Sequence, residues 1–232
     1  MAQADGAILL DETNDGSFSS GPDGEGMPSL SQLPSGPEKM SMFEAFTTST
    51  AIVALAEIGD KTQLLAIVLA TRFKKPVPIV LGILFATLAN HFLAALLGAT
   101  AAAFLDGMWF RFAIATGFVA MGLWTLVPDK FDDDDAPKPS RFGPFLTTLV
   151  AFFIVEMGDK TQIATIALGA RFNDALAVTA GTTLGMMIAN VPAVFLGQAL
   201  IKRVPLDVVR MIAAALLVAT GVWLFIQTLG IW

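Results

Sequence analysis

Ala56-Glu57-Ile58-Gly59-Asp60-Lys61-Thr62-Gln63 returns 99 residues later as Val155-Glu156-Met157-Gly158-Asp159-Lys160-Thr161-Gln162. Each copy sets two carboxylates, an ammonium, a hydroxyl and a carboxamide inside a long apolar run. Ionisable groups at membrane depth are expensive, and where they occur they mark functional sites. Outward from the motif the echo continues at the same offset. Arg72-Phe73 answers Arg171-Phe172, Gly82 answers Gly181, Leu97-Gly98 answers Leu196-Gly197, Arg111 answers Arg210, and Gly122-Leu123-Trp124 answers Gly221-Val222-Trp223. Ala89-Asn90 and Ala189-Asn190 stand 100 apart, which reads as a local one-residue adjustment. The chain is therefore read as two homologous halves.

Composition sets the class. Of 232 residues, 55% are hydrophobic and 15% charged, with a mean hydropathy of +0.69. That is too apolar for an ordinary soluble domain, and several runs reach the roughly 18–20 residues that span a bilayer. Without any Cys, disulfides, thiolate metal sites and thiol nucleophiles are excluded. The net charge of −6 is concentrated in residues 1–42, where Asp5, Asp11, Glu12, Asp15, Asp23, Glu25 and Glu38 face Lys39 alone. The rest is formally balanced, so no nucleic-acid footprint exists. The lipid bilayer is the expected surrounding.

Apolar segments at 44–70, 78–104, 111–127, 143–169, 175–200 and 208–230 predict an all-α polytopic membrane protein with six transmembrane helices. Residues 1–42 read as a disordered acidic tail without signal-peptide character. Residues 43–128 form the first transmembrane repeat, 129–142 an acidic central loop and 143–232 the second repeat. Three spans per half make the second half enter from the opposite side. Such inverted repeats hold a substrate site near the midplane between them. Basic residues concentrate after the first, third and fifth spans (Arg72, Lys74, Lys75, Lys130, Lys138, Arg141, Lys202, Arg203), which assigns those loops to the cytoplasm and both termini to the outside.

In unbroken helices, residues three apart share a face. Glu57, Asp60 and Gln63 then form one stripe and Glu156, Asp159 and Gln162 another, brought together at mid-depth by pseudo-twofold symmetry. Asn90 and Asn190 are candidates to complete an all-oxygen shell, which suits hard cations such as calcium, manganese or magnesium. Converging carboxylates in a low dielectric cannot all stay ionised without counter-charge, so cation and protons compete for one site. Lys61 and Lys160 are expected as charge partners, each four residues after a glutamate. Gly59 and Gly158 serve close packing or local unwinding, and Thr62 and Thr161 complete the motif. A structural set of buried ion pairs would be a costly way to pack. His91 reads as a packed residue with a proton relay as the minority role. Thr47, Thr48, Ser49, Thr50, Thr147 and Thr148 are candidates for an access path, and Asp132-Asp133-Asp134-Asp135 reads as a solvated linker. Trp109, Trp124 and Trp232 read as interfacial anchors.

With the duplicated Glu-x-Gly-Asp-Lys-Thr at Glu57–Thr62 and Glu156–Thr161, residues 43–232 resemble the Gdt-type cation/proton exchangers of the LysE transporter superfamily. The resemblance implies a transporter and not an enzyme, exchanging manganese or calcium for protons. No permanently bound cofactor is implied, and the sequence leaves an oligomer open. It also implies a bacterial inner-membrane location. An exporter of another cationic solute, such as a basic amino acid, is the alternative. An intramembrane enzyme is disfavoured because catalytic roles are seldom symmetric. The charge bias predicts that an enzyme reporter fused after Trp232 is active only when it needs the outer compartment; activity confined to the cytoplasm reverses the orientation.

Overall fold

The computed structural model describes residues 42–105, 107–127, 142–197 and 205–230. The expectations for the acidic tail, Asp132-Asp133-Asp134-Asp135, Lys130, Lys138, Arg141, Lys202, Arg203 and Trp232 lie outside the described residues. Among those described, the chain forms eight α-helices and no strand. They are α1 (Met42–Glu57), α2 (Lys61–Phe73), α3 (Pro76–Phe104), α4 (Met108–Thr125), α5 (Pro144–Glu156), α6 (Lys160–Phe172), α7 (Ala175–Leu196) and α8 (Leu206–Thr228). Four of them, α3, α4, α7 and α8, are long and apolar enough to cross a membrane.

The segments expected as the continuous spans 44–70 and 143–169 are each broken in two, which corrects the unbroken-helix reading. Both breaks fall on the motif. The amide of Asp60 donates to Glu57 O at 3.1 Å and that of Asp159 to Glu156 O at 3.2 Å, closing a four-residue turn each time. Met157 has φ −65° and ψ 117° and Gly158 has φ 79°. That is a type II turn, whose third residue needs a positive φ and hence glycine. Gly59, at φ 84°, holds the same place in the first copy. Local unwinding is thus the role these two glycines take.

Packing joins the two halves. The most extensive helix contacts are α4 with α8, α1 with α7, α3 with α6 and α3 with α5. Small residues permit it: a Cβ on Gly82 would stand 2.8 Å from Phe145 O and from Thr148 Cβ, and one on Gly181 would strike Phe46 O and meet Ser49 Cβ at 3.0 Å. These two contacts interchange under the 99-residue offset. Likewise Gly122 abuts Ala214 and Val218, while Gly221 abuts Ala115 and Val119, so α4 and α8 run antiparallel. Without water to drive association in lipid, such backbone approach is what holds membrane helices together.

Large apolar side chains stay on the surface. On α3 alone Phe85, Leu88, Leu93 and Leu97 are exposed, while polar groups such as Glu57, Asn90, His91, Thr125 and Glu156 are buried. This inverted distribution suits a lipid surrounding.

The turns generate a stability prediction. Gly158→Ala should lower unfolding stability by about 1–2 kcal/mol, the cost of a left-handed backbone with a Cβ. Gly59→Ala should cost more, because its Cβ would also meet Leu206 Cδ2 at 2.8 Å whereas that of Gly158 meets nothing. Thermal unfolding followed by tryptophan fluorescence in detergent checks the ranking.

Candidate functional site

Each motif residue has a place in the broken helix. Glu57 and Glu156 end α1 and α5, and Asp60 and Asp159 precede the first residues of α2 and α6. Two residues into the second helix, Thr62 Oγ1 donates to Glu57 Oε2 at 2.6 Å. Thr161 Oγ1 donates to Glu156 Oε1 at 2.7 Å and to Asp159 Oδ2 at 3.3 Å. One residue further, Gln63 Oε1 accepts the Gly59 amide at 2.9 Å, and Gln162 Oε1 accepts the Gly158 amide at 2.7 Å. The glutamine reaches back across the helix start much as the third residue of a capping box does. Because the turn, and not a continuous helix, aims the carboxylates, the three-residue periodicity has no part in their convergence.

Convergence occurs nonetheless. Oxygens of Glu57, Glu156 and Asp159 lie within 4.8 Å of one another, and all three residues are buried. Glu57 Oε1 and Glu156 Oε2 are buried with no hydrogen-bond partner among the described residues. A buried carboxylate oxygen in that state is costly unless a cation or proton meets it. The donor set is hard oxygen, which fits a divalent cation as a transient guest. Two α-helix starts, α2 and α6, and two ends, α1 and α5, meet at these turns. Broken helices place positive ends and free carbonyls beside ions in just this way.

The other expected residues divide. Asp60 is buried but stands outside the three-carboxylate group. Neither lysine binds the glutamate four residues before it, because the break removes the helical register that pair needs. Lys61 instead crosses between the halves, its Nζ 3.4 Å from Asp159 Oδ1, and remains 27% exposed. Lys160 is buried, donates to Val127 O at 3.0 Å and lies over the Trp124 ring at 5.8 Å. The Gln63 amide donates to Ala189 O at 2.9 Å, so the glutamines brace turns and neighbouring helices. Asn90 Nδ2 donates to Phe153 O at 3.0 Å. Asn190 Nδ2 bonds within α7, to Met186 O at 3.1 Å, and its Oδ1 is buried without a partner. Ser49 and Thr148, equivalent by the offset, are both buried with hydroxyls that find no partner among the described residues. Thr47 and Thr50 bond back along α1.

His91 is packed, as expected, and lies beside the carboxylate group. It is fully buried, and its Nε2 stands 3.4 Å from Glu156 Oε1. A signal was present. α3 and α7 are unbroken from Gly82 to Gly98 and from Gly181 to Gly197's neighbour Leu196, so the offset of 99 holds throughout. His91 therefore corresponds to Asn190, and Asn90 to Ala189. The supposed one-residue adjustment is an accident of two Ala-Asn pairs.

A family model described as "Divalent cation/proton antiporter GDT1" matches residues 45–133 and 144–231. A protein of Vibrio cholerae serotype O1 named "Putative manganese exporter" is 49% identical over 169 residues, spanning 72% of this chain and 84% of that one. A GDT1-like protein of Synechocystis is 31% identical over 195 residues, spanning 75% and 93%. GDT1-like protein 5 of Arabidopsis thaliana is 30% identical over 219 residues, spanning 78% and 95%. No solved structure matches the chain.

The hydroxyl–carboxylate bonds are testable apart from any transport. Thr161→Val removes two bonds to site carboxylates and Thr62→Val one. Loss of a group that orients a metal ligand costs about tenfold or more in affinity. Titration calorimetry with manganese should show both variants weakened, Thr161→Val more so.

Proposed function

The chain belongs to the divalent cation/proton antiporter GDT1 family, and we propose that it exchanges manganese or calcium for protons at Glu57, Glu156 and Asp159. It is a multi-pass membrane transporter and not an enzyme. The observation that carries the reading is the trio of buried carboxylates within 4.8 Å, contributed by both halves. In an apolar bundle such a group is stable only when neutralised. A divalent cation removes most of the charge in one step, and protons remove it when the cation leaves. Because one set of oxygens serves both, occupancy by one excludes the other, which is the requirement for exchange.

The finer reading follows the same chemistry. Six spans arise if α1 with α2, and α5 with α6, each cross as one discontinuous span beside α3, α4, α7 and α8. Residues 43–128 and 143–232 then form inverted repeats, joined by the acidic loop 129–142. The antiparallel run of α4 against α8, equivalent helices of the two halves, supports this. Facing discontinuous spans carry ion sites near mid-depth in other carriers, and this reading gives the carboxylates that depth. Asp60, Gln63, Gln162, Asn90 and Asn190 complete the surroundings of the ion, with Gly59, Gly158, Thr62 and Thr161 shaping them. Lys61 and Lys160 supply counter-charge when the site lacks its cation. Manganese is favoured as cargo by the 49% identity to the Vibrio manganese-exporter relative. Export is the direction that relative's name supports, and the basic loops support an inner-membrane orientation with both termini outside.

Reconstituted in vesicles with a proton-sensitive dye, the protein should release protons when manganese or calcium is added, and less with magnesium, which dehydrates reluctantly. Glu57→Gln, Glu156→Gln and Asp159→Asn should each abolish the flux. Metal movement with no effect on a pH gradient would refute exchange. Competition between lysine and manganese for transport would favour the exporter of a basic solute.

A further inference from the structure

Two copies of one motif should sit in equivalent surroundings if the molecule were symmetric, and they do not. On the face where α4 ends and α8 begins, the first turn is covered, with the Leu206 side chain lying where a Cβ on Gly59 would point, at 2.8 Å. On that same face Lys160, from the second copy, is buried against Val127 O and the Trp124 ring. The 99-residue offset names the counterparts on the opposite face, where α4 begins and α8 ends. Gly107 should lie over Gly158, and Trp223 with Ile226 over Lys61. Neither contact is made. A Cβ on Gly158 meets nothing within 4 Å, Gly158 and Met157 are exposed, and Lys61 keeps 27% of its side-chain surface.

The helix contacts repeat this inequality. α1 packs on α8 and α6 on α4, whereas their counterparts, α5 with α4 and α2 with α8, scarcely touch. A cavity of about 210 Å³ lined by Gly107, Met108, Arg111 and Thr228 lies on the less-packed face. Among the described residues these differences point one way, with one face covered and the other not, and Lys61 reaches Asp159 from the uncovered one.

We propose that Leu206 over Gly59 and the Trp124–Val127 cradle around Lys160 are one shut gate, and that the start of α4 over Gly158 and Trp223 over Lys61 form its counterpart. The inference rests on the exchange reading and supplies its moving parts. Closing the second gate while opening the first exchanges the roles of the two halves. Lys160 leaves Val127 and approaches Asp60, as Lys61 now approaches Asp159, and Lys61 withdraws beneath Trp223. Both arrangements use equivalent positions of the two halves, with Gly107 standing where the other half has Leu206, and a two-state carrier requires that both be populated. The sequence keeps the parts for both: Trp124 has Trp223, and each lysine has its motif aspartate in the other half.

With no native Cys, engineered pairs are the only thiols. Ile58→Cys with Leu206→Cys reports the first gate. Met157→Cys with Met108→Cys reports the second, Met108 being used because Gly107 has φ 152°. Full-length protein in vesicles is oxidised without metal, and disulfides are counted by gel shift. Both pairs should cross-link, each cross-link should stop manganese-driven proton flux, and reductant should restore it, which shows that the variants are folded. Trp124→Ala should raise the second pair's yield severalfold and lower the first; Trp223→Ala should do the reverse. The inference falls if either pair fails to cross-link, or if both tryptophan variants move the two yields in the same direction. Since the yields are read without metal, a protein with the expected yields but no proton flux refutes the exchange reading and leaves the gates standing.

Discussion

Glu57, Glu156 and Asp159 cannot lie this close in an apolar interior unless something else in the structure compensates for them, and the surrounding architecture is organised around that constraint. Like charges a few ångströms apart repel strongly where the dielectric is low. Their ordinary remedy, water, is displaced by packing helices. What replaces it is local: hydroxyls of Thr62 and Thr161 on the glutamates, Lys61 on Asp159 and the exposed dipoles of interrupted helices. One oxygen of each glutamate is still left over. The protein is built to be incomplete there.

The break in the helix is what makes this arrangement attainable. A continuous α-helix consumes its own carbonyls and amides, leaving only side chains to address an ion. At the Glu-x-Gly-Asp turn three residues stand between one helix and the next, held by one backbone hydrogen bond and the glutamine of the second helix. Gly is required at the third place for its positive φ. Glu ends one helix and Asp opens the next, so their separation is set by the turn rather than by helical rise. A motif that looks like a polar stripe is in fact a joint.

Much of this was legible in the chain. The 99-residue echo identified the halves, the boundaries of α3, α4, α7 and α8 followed from apolar runs and flanking Gly and Pro, and the residues of the carboxylate group were named. Local unwinding at Gly59 and Gly158 was one of two readings the residues allowed, and nothing in the chain decides it: Glu57, Asp60 and Gln63 fit a stripe as well as they fit a turn, and one glycine in an apolar helix is tolerated. The pairing of each lysine with the glutamate four residues before it followed from that register and is not formed; Lys61 meets Asp159 of the other half instead. The place of His91 beside Glu156 was hidden for another reason. Matching identical residues, Asn with Asn, concealed that the offset pairs His91 with Asn190, and only unbroken α3 and α7 settle the alignment. The unequal burial of Lys61 and Lys160 was beyond the sequence altogether, since two copies of one motif carry no information about which is covered.

Sharing the site between halves has a mechanical consequence. In lipid, apolar surface gives helices little reason to associate, and the halves adhere through small-residue contacts and whatever polar bonds cross between them. On the proposed reading, the transported ion is one of those bonds, because Glu57 comes from the first half and Glu156 and Asp159 from the second. A bound cation ties the halves together at their centre; its departure leaves Lys61 and protons to neutralise carboxylates that otherwise drive the halves apart. Either filling makes a neutral, compact centre that can shift within the bundle, and an empty, unneutralised one cannot. Coupling therefore needs no separate sensor. The charge that makes the site expensive is the same charge that forbids movement until the exchange has taken place.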